Sequence, residues 1–396
     1  MLICVKNISR LLKIVITIKN IFKDKRLKLM NKKIRICFPF VGNSIGGSHL
    51  STIELIKKLN KERFETILLL HKKGILHRHL IKEGLKIEYL KKNNFVGKKK
   101  GILINLIYIV KSLFNLTPYI NKKKIDIVHL NDSSAGLSWI LATKLSRAKL
   151  IWHQRIVFPQ WPLYKFLSIF PEKIISISNF VNNSLPKLNY QKSVKILNPI
   201  TINKIKEEKK ILRKHFENKK EKKVLFLANI IESKRVEVFI NISKSISKTL
   251  PNSKFFIVGS DKKKILKKYS TNLKNKIIYF GYSKNKEFWL KNCNLLLVTA
   301  ENEGFNRSIV EAMLSKIPVI AVNSGAHNEI IKNNYNGWLT NVNDINNLKK
   351  TVIKILSLKK TQLKKIVDNA NKTAKKKFNI NNHVRKISKV YIDIIS

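Results

Sequence analysis

Short apolar runs recur along this chain, each followed by a longer stretch with helical apolar spacing, and this alternation restricts the fold more than any other feature. Runs at residues 34–40, 64–70, 125–130, 149–152 and 173–177 form one set, and runs at 224–227, 254–258, 276–280, 295–298 and 318–322 form a second. Runs this short and this apolar suit strands buried on both faces, and helices between them supply the cover, so each set predicts a parallel α/β sheet. After the first run come Gly42 and Gly46-Gly47, then Leu50, Ile53, Leu55, Ile56 and Leu59 at helical spacing. Strand, glycine turn and helix in that order open a Rossmann-like unit.

The pattern pauses at Asn198-Pro199 and gives way to a Lys- and Glu-rich stretch before resuming at Val224. A chain of 396 residues exceeds one ordinary core and suits two. We therefore expect a basic extension over 1–29, a first Rossmann-like domain over 30–198, a linker over 199–222 and a second such domain over 223–375. The segment 376–396, with Val384, Ile387, Val390 and Ile394 on one helical stripe, is expected to pack back across the first domain.

Eighty Lys and Arg against 24 Asp and Glu leave a formal charge of +56, a field that attracts nucleic acid, anionic lipid or phosphorylated substrates. The lysines are dispersed through almost every segment, whereas nucleic-acid surfaces concentrate charge on one face or element. Much of the excess reads as lysine written at neutral surface positions. Cys4, Cys37 and Cys293 form no Cys-x-x-Cys pair, which points away from a disulfide framework and towards a reducing cytoplasm. Residues 1–29 are too interrupted by Lys6, Arg10, Lys13 and Lys19 to span a bilayer or to resemble a secretory signal. Two readings stay open there: a membrane-surface helix, or a true start at Met30.

The passage 295–322 carries the chemistry. An apolar run leads into Thr299-Ala300-Glu301-Asn302-Glu303-Gly304-Phe305, then a helical stretch and another run, with seven residues between Glu303 and Glu311. Ligands of open parallel sheets bind beyond the carboxyl ends of the strands. Carboxylates there accept charge-assisted hydrogen bonds from the vicinal hydroxyls of a sugar or ribose, and a helix starting near Asn306 offers amides and a positive dipole end to a diphosphate. Taken alone, Glu311 reads as a solvated helix carboxylate.

These residues resemble the retaining family 4 glycosyltransferases of the GT-B fold, in which two Rossmann-like domains face a central cleft. Glu303-Gly304-Phe305, Glu311-Ala312-Met313, Pro318-Val319 and Gly337 stand in the order of that family's signature. The resemblance implies that Glu303 contacts the donor sugar and Glu311 the nucleotide ribose. It also implies that the second domain binds a nucleoside diphosphate sugar while the first receives the acceptor. Asn306 and Lys316 occupy positions where the family often has glycine.

Lys234, after the run 224–227, matches a diphosphate-binding lysine of that family; Asn229 stands at its arginine position, so Arg235 becomes the candidate for the second charge. Phe280-Gly281 resembles the place where the nucleobase packs, and also reads as a simple turn. Gly46-Gly47 resembles the glycine loop that lets backbone approach the donor phosphate. His153, after a strand, matches the family's cleft histidine; a lone histidine is otherwise often structural. Arg307 joins Lys234 and Arg235 as a cationic candidate for the leaving diphosphate.

The chain contains no Asp-x-Asp and no His-Glu-x-x-His, so neither a metal nor another cofactor is expected. The reading is transfer of a hexosyl group, UDP-linked, to a hydroxyl of a glycan or lipid-linked glycan in surface polysaccharide synthesis. Retention is inferred from resemblance alone. The setting would be cytoplasmic, peripheral at the inner, anionic face of the plasma membrane. Two alternatives remain: a basic nucleic-acid-binding protein, and a non-catalytic sugar-binding relative.

Overall fold

The computed structural model describes residues 33–131, 133–202, 214–272 and 276–396. The extension 1–29 and part of the linker, 203–213, lie outside them. Two parallel sheets are present, confirming the two-domain GT-B arrangement of Rossmann-like units. The first contains β1 (Ile34–Phe40), β2 (Phe64–Leu70), β3 (Glu88–Tyr89), β4 (Ile127–Leu130), β5 (Lys149–Gln154), β6 (Lys173–Ser176) and β7 (Ser193–Lys195), in spatial order β3-β2-β1-β4-β5-β6-β7. The second contains β8 (Lys222–Leu227), β9 (Ser253–Val258), β10 (Ile277–Gly281), β11 (Leu295–Val298), β12 (Val319–Val322) and β13 (Trp338–Thr340), ordered β10-β9-β8-β11-β12-β13.

The ten strands expected from apolar runs all form. β3, β7 and β13 were not expected. They are two or three residues long and lie at or next to no more than one neighbouring strand, at the edges of their sheets. An edge strand is held by one ladder and a few side chains, so it needs no continuous apolar run.

In each sheet the strand order reverses once, between β1 and β4 and between β8 and β11. At such a switch point the two following loops diverge to opposite faces and leave a crevice at the carboxyl ends of the strands. Gly42–Gly47 and Asn131 therefore border the first crevice, and Lys234 and Glu303 the second.

The chain crosses between the domains twice, and the two crossings touch where the Ile200 amide donates to the Phe378 carbonyl at 3.0 Å. Beyond Phe378, the helix Ile380–Ile395 packs on the first domain, with Ile387, Val390 and Tyr391 buried against Ile53, Leu55, Ile56 and Phe64. Each such side chain contributes on the order of 2 kcal/mol by its removal from water. The preceding helix Lys360–Lys377 stays on the second domain, where Asn371 caps the carbonyls of Met313 and Leu314 at 3.2 and 2.9 Å.

Candidate active site

Local hydrogen bonds shape the loop after β11 before any ligand is considered. The Thr299 hydroxyl lies 2.8 and 2.9 Å from the carbonyls of Lys234 and Arg235, and the Glu301 amide donates to the Ser233 carbonyl at 2.9 Å. On the other side, Asn302 donates its amide to the Ser324 hydroxyl, and Ala326 donates to the Glu303 carbonyl at 2.8 Å. Gly325 permits this contact. Its φ is +60°, and a Cβ there would lie 2.5 Å from the Glu303 carbonyl oxygen.

The helix Arg307–Leu314 then carries Glu311, buried on its inner face. Its N-cap is Asn306, whose side-chain oxygen accepts from the Ile309 amide while its Nδ2 donates to His327 Nε2 at 3.3 Å. With φ at −110°, this position does not require glycine, and the capping bond accounts for asparagine there. Lys316, by contrast, adopts a left-handed φ of 57°, the conformation a glycine would hold at ease, and closes the helix as its amide donates to the Met313 carbonyl and the Ile317 amide to that of Ala312.

Each glutamate faces a lysine. Lys234 Nζ lies 2.5 Å from Glu303 Oε1, and Lys286 Nζ lies 2.5 Å from Glu311 Oε1. Both carboxylates are largely buried, with side-chain exposures of 16% and 7%. Such ion-pair partners can be exchanged for ligand hydroxyls and phosphate. Arg235 is turned elsewhere, to Glu301, Glu237 and the Val342 carbonyl. Phe280 packs inward on Trp289, with ring centroids 4.6 Å apart, and leaves Gly281 at the strand end with φ +71°. Phe305 lies against Phe378 at 5.5 Å, beside the second crossing.

The first domain meets this surface directly. A Cβ on Gly47 would lie 2.8 Å from Arg307 Cδ, and one on Gly304 would lie 2.8 Å from Val181 Cγ2 and 3.3 Å from the Arg155 carbonyl. Arg307 donates to the Ser51 hydroxyl at 2.8 Å, approaches Glu54 at 3.9 Å, and lies 3.6 Å from Glu311 on its own helix. Burial raises the Glu54 carboxyl above its ordinary range, against the lowering effect of the Thr201 hydroxyl and Arg307. Glu329 completes the seam by accepting from the Asn179 and Phe180 amides at 2.7 and 2.8 Å, at the start of the helix Asn179–Asn183.

His153 lies in the wall of the first crevice, within a cluster of three histidines. Its Nδ1 is 3.1 Å from His129 Nε2 and 3.2 Å from Arg155 Nη2, while Tyr391 of the last helix lies 2.6 Å from His129 Nδ1. This pattern assigns the proton of His129 to Nε2 and that of His153 to Nε2. Burial and then the Arg155 charge hold both imidazoles well below their usual pKa, so both are neutral. Arg155 itself bonds Asn198, Asn131 and Thr52, with no carboxylate among these partners. Burial lowers it to about 9, which leaves it charged at neutral pH.

Glu311 Oε2, Arg307 Nε, Glu54 Oε2, Arg155 Nε and His153 Nε2 are buried without hydrogen-bond partners. Buried polar atoms are ordinarily satisfied, so such atoms along one seam suit a ligand that supplies donors and acceptors. The structure thus brings Glu303, Glu311, Lys234, Gly304, Asn306, Gly46 and Gly47 to the facing crevices. It keeps the Arg235 guanidinium and the Phe280 ring apart from them. Arg155, Lys286, Ser51 and Glu54 were not singled out in the sequence. Arg155 lies two residues beyond His153, and that proximity is the one local signal that pointed to it unread; nothing local distinguishes Lys286 from the other lysines.

Two facing Rossmann-like domains, with a carboxylate pair at the carboxyl end of a strand beside a switch point, form the GT-B arrangement, and the proteins this chain is similar to are glycosyltransferases. Residues 207–373 carry a domain of the family described as Glycosyl transferases group 1. The UDP-Gal:alpha-D-GlcNAc-diphosphoundecaprenol alpha-1,3-galactosyltransferase of Escherichia coli is 26% identical over 321 residues, which cover 74% of this chain and 81% of that protein. The poly(ribitol-phosphate) alpha-N-acetylglucosaminyltransferase of Staphylococcus aureus is 30% identical over 148 residues, 36% of this chain and 30% of its own. Among solved structures, a glycosyltransferase from Rickettsia africae aligns with a TM-score of 0.77 at 23% identity over 92% of this chain and 99% of its own. Anabaena Alr3699/HepE in complex with UDP and glucose aligns with a TM-score of 0.75 at 19% identity over 91% and 100%.

Proposed function

We propose that this protein transfers a hexosyl group from a UDP-sugar to a hydroxyl of a glycan or lipid-linked glycan in surface polysaccharide synthesis. The reading extends to a retaining, metal-independent reaction of the family 4 type, carried out in the cytoplasm at the inner face of the plasma membrane. One observation carries it: Glu303 and Glu311 stand beyond the carboxyl end of β11, each paired with a lysine, on a seam where Glu311 Oε2 and Arg307 Nε are buried without a hydrogen-bond partner. The E. coli and S. aureus relatives named above, and the UDP complex of the Anabaena protein, support the choice of donor and acceptor.

In this reading Glu311 takes the ribose hydroxyls and Glu303 the hydroxyls of the donor sugar. Lys234, released from Glu303, turns to the diphosphate together with Arg307 and the amide end of the helix Arg307–Leu314. These cations do the electrostatic work that a metal does elsewhere. The bond from the anomeric carbon to the diphosphate breaks as the bond to the acceptor oxygen forms on the same face, and the acceptor proton passes to the departing phosphate oxygen. His153, neutral and buried, positions groups in the wall of the first crevice and takes no proton. Contact between the domains at Gly47–Arg307 and Gly304–Val181 keeps water from the donor.

Binding and slow hydrolysis of UDP-, GDP- and ADP-sugars without added metal test this directly. We expect one UDP-sugar to bind, and Glu303→Ala and Glu311→Ala each to lower kcat/KM on the order of a hundredfold or more while remaining folded. A chain that binds no donor at all, or variants that bind as the wild type does, would sink the proposal. The anomeric configuration of the product reports on retention.

A further inference from the structure

The helix Ile102–Lys122, between β3 and β4, carries two apolar stripes where a helix covering a sheet needs one. The inner stripe packs on the first domain through Asn105, Ile109, Ser112, Leu116 and Ile120, with two polar residues among the five. The outer stripe is open to solvent. Leu103 is 72% exposed, Ile107 51%, Val110 48% and Phe114 77%, at spacings of four, three and four residues, with Ile102 at 73% beside them. Exposed apolar side chains scattered singly are ordinary; a continuous row along three turns of one helix marks a contact surface.

Charge identifies the occupant. Residues 89–125 contain nine lysines and no carboxylate. Lys98, Lys99 and Lys100 are exposed immediately before the helix, and Lys111 is exposed within it. An apolar stripe bordered by lysines fits the headgroup and acyl boundary of an anionic bilayer. The length and apolarity of this helix would allow it to cross a membrane. Its inner stripe is committed to the core of the first domain, so it lies on the surface instead.

We propose that the outer face of the helix Ile102–Lys122 docks this protein on an anionic lipid bilayer, with Leu103, Ile107, Val110 and Phe114 in the acyl boundary and Lys98–Lys100 on the headgroups. In a parallel sheet the helix that leaves a strand starts at the carboxyl edge, where the crevices open. The first turns of this helix therefore bring the membrane to the rim of the cleft, beside the path of a lipid-linked acceptor. This placement rests on the transferase reading for its purpose, but the docking itself does not.

The test uses the full chain with vesicles of phosphatidylcholine, alone or mixed with phosphatidylglycerol, and measures flotation at physiological salt. Wild type should float with the mixed vesicles. The variant Leu103→Ser/Val110→Ser/Phe114→Ser should lose affinity on the order of a hundredfold, and Lys98→Ser/Lys99→Ser/Lys100→Ser about tenfold or more, only on the anionic vesicles. UDP-sugar binding in solution should be unchanged in both, because none of these residues borders the site. A Phe114→Trp variant should show blue-shifted emission on vesicle addition.

Equal flotation of wild type and the apolar variant would overturn the proposal. So would loss of flotation in a chain starting at Met30, which would move the contact to the extension, or a wild-type dimer that the apolar variant turns into a monomer without change in flotation. Flotation with no donor binding would instead count against the transferase reading and leave the docking intact.

Discussion

The buried imidazoles make this protein sensitive to acid. His383 lies in the last helix, with Nδ1 2.8 Å from the Leu197 carbonyl, and burial followed by the Arg155 charge lowers its pKa to about 4. In the unfolded chain it titrates near 6.5, so the unfolded state binds the proton first and stability is lost as pH falls below that value. At pH 5 this one group costs about 2 kcal/mol by linkage. His129 and His153 are shifted in the same direction, by burial and by the same guanidinium, and add to the loss. Thermal unfolding should show Tm falling from pH 7 to pH 5, and His383→Gln should reduce that fall; a flat profile would contradict the assignment of neutral imidazoles. At this scale the glutamate pair was legible, because Glu303 and Glu311 sit within a motif whose strand, loop and helix are all local in sequence. Lys286 was not, since its pairing with Glu311 joins residues 25 positions apart and a single lysine carries no mark among eighty basic residues.

Asn306 illustrates what a single position does for its element. It caps the helix that carries Glu311 and also holds His327, so the cap ties the loop after β11 to the one after β12. Asn306→Ala should cost about 1 kcal/mol, read as a lower denaturation midpoint, with a raised KM for donor. Asn306→Asp should restore the midpoint and not the KM, because it keeps the cap and adds a negative charge beside the diphosphate; recovery of both would show that the position acts through stability alone. The ten longer strands were legible because each carries a continuous apolar run, β10 at the edge of the second sheet included. β3, β7 and β13 were not, because one ladder at a sheet edge holds them. The double-striped helix Ile102–Lys122 was passed over for a related reason. Periodicity reports that apolar faces exist, and only the packed sheet shows which of them is covered.

Across the whole molecule, the seam depends on close approach. Gly304 has no left-handed backbone, so alanine there should fold normally, yet its Cβ would stand 2.8 Å from Val181 Cγ2 across the domain boundary. Gly304→Ala should therefore leave Tm unchanged and lower kcat/KM about tenfold or more, since small displacements at a two-sided site weaken it sharply. Unaltered kinetics would mean that the domains need not meet here during turnover. The sequence alone determined two parallel sheets and the carboxylate pair, because apolar runs, glycine turns and short motifs are properties of neighbouring residues. Only the tertiary structure decided that Arg307 bridges Ser51 and Glu54 of the first domain, that Tyr391 reaches His129, and that Arg155 reaches Asn131 and Asn198. Those contacts join residues up to 262 positions apart, and their formation depends on the two crossings that fold the last helix back onto the first sheet. Pairing over such separations is set by the packing of whole elements, which no local pattern of residues encodes.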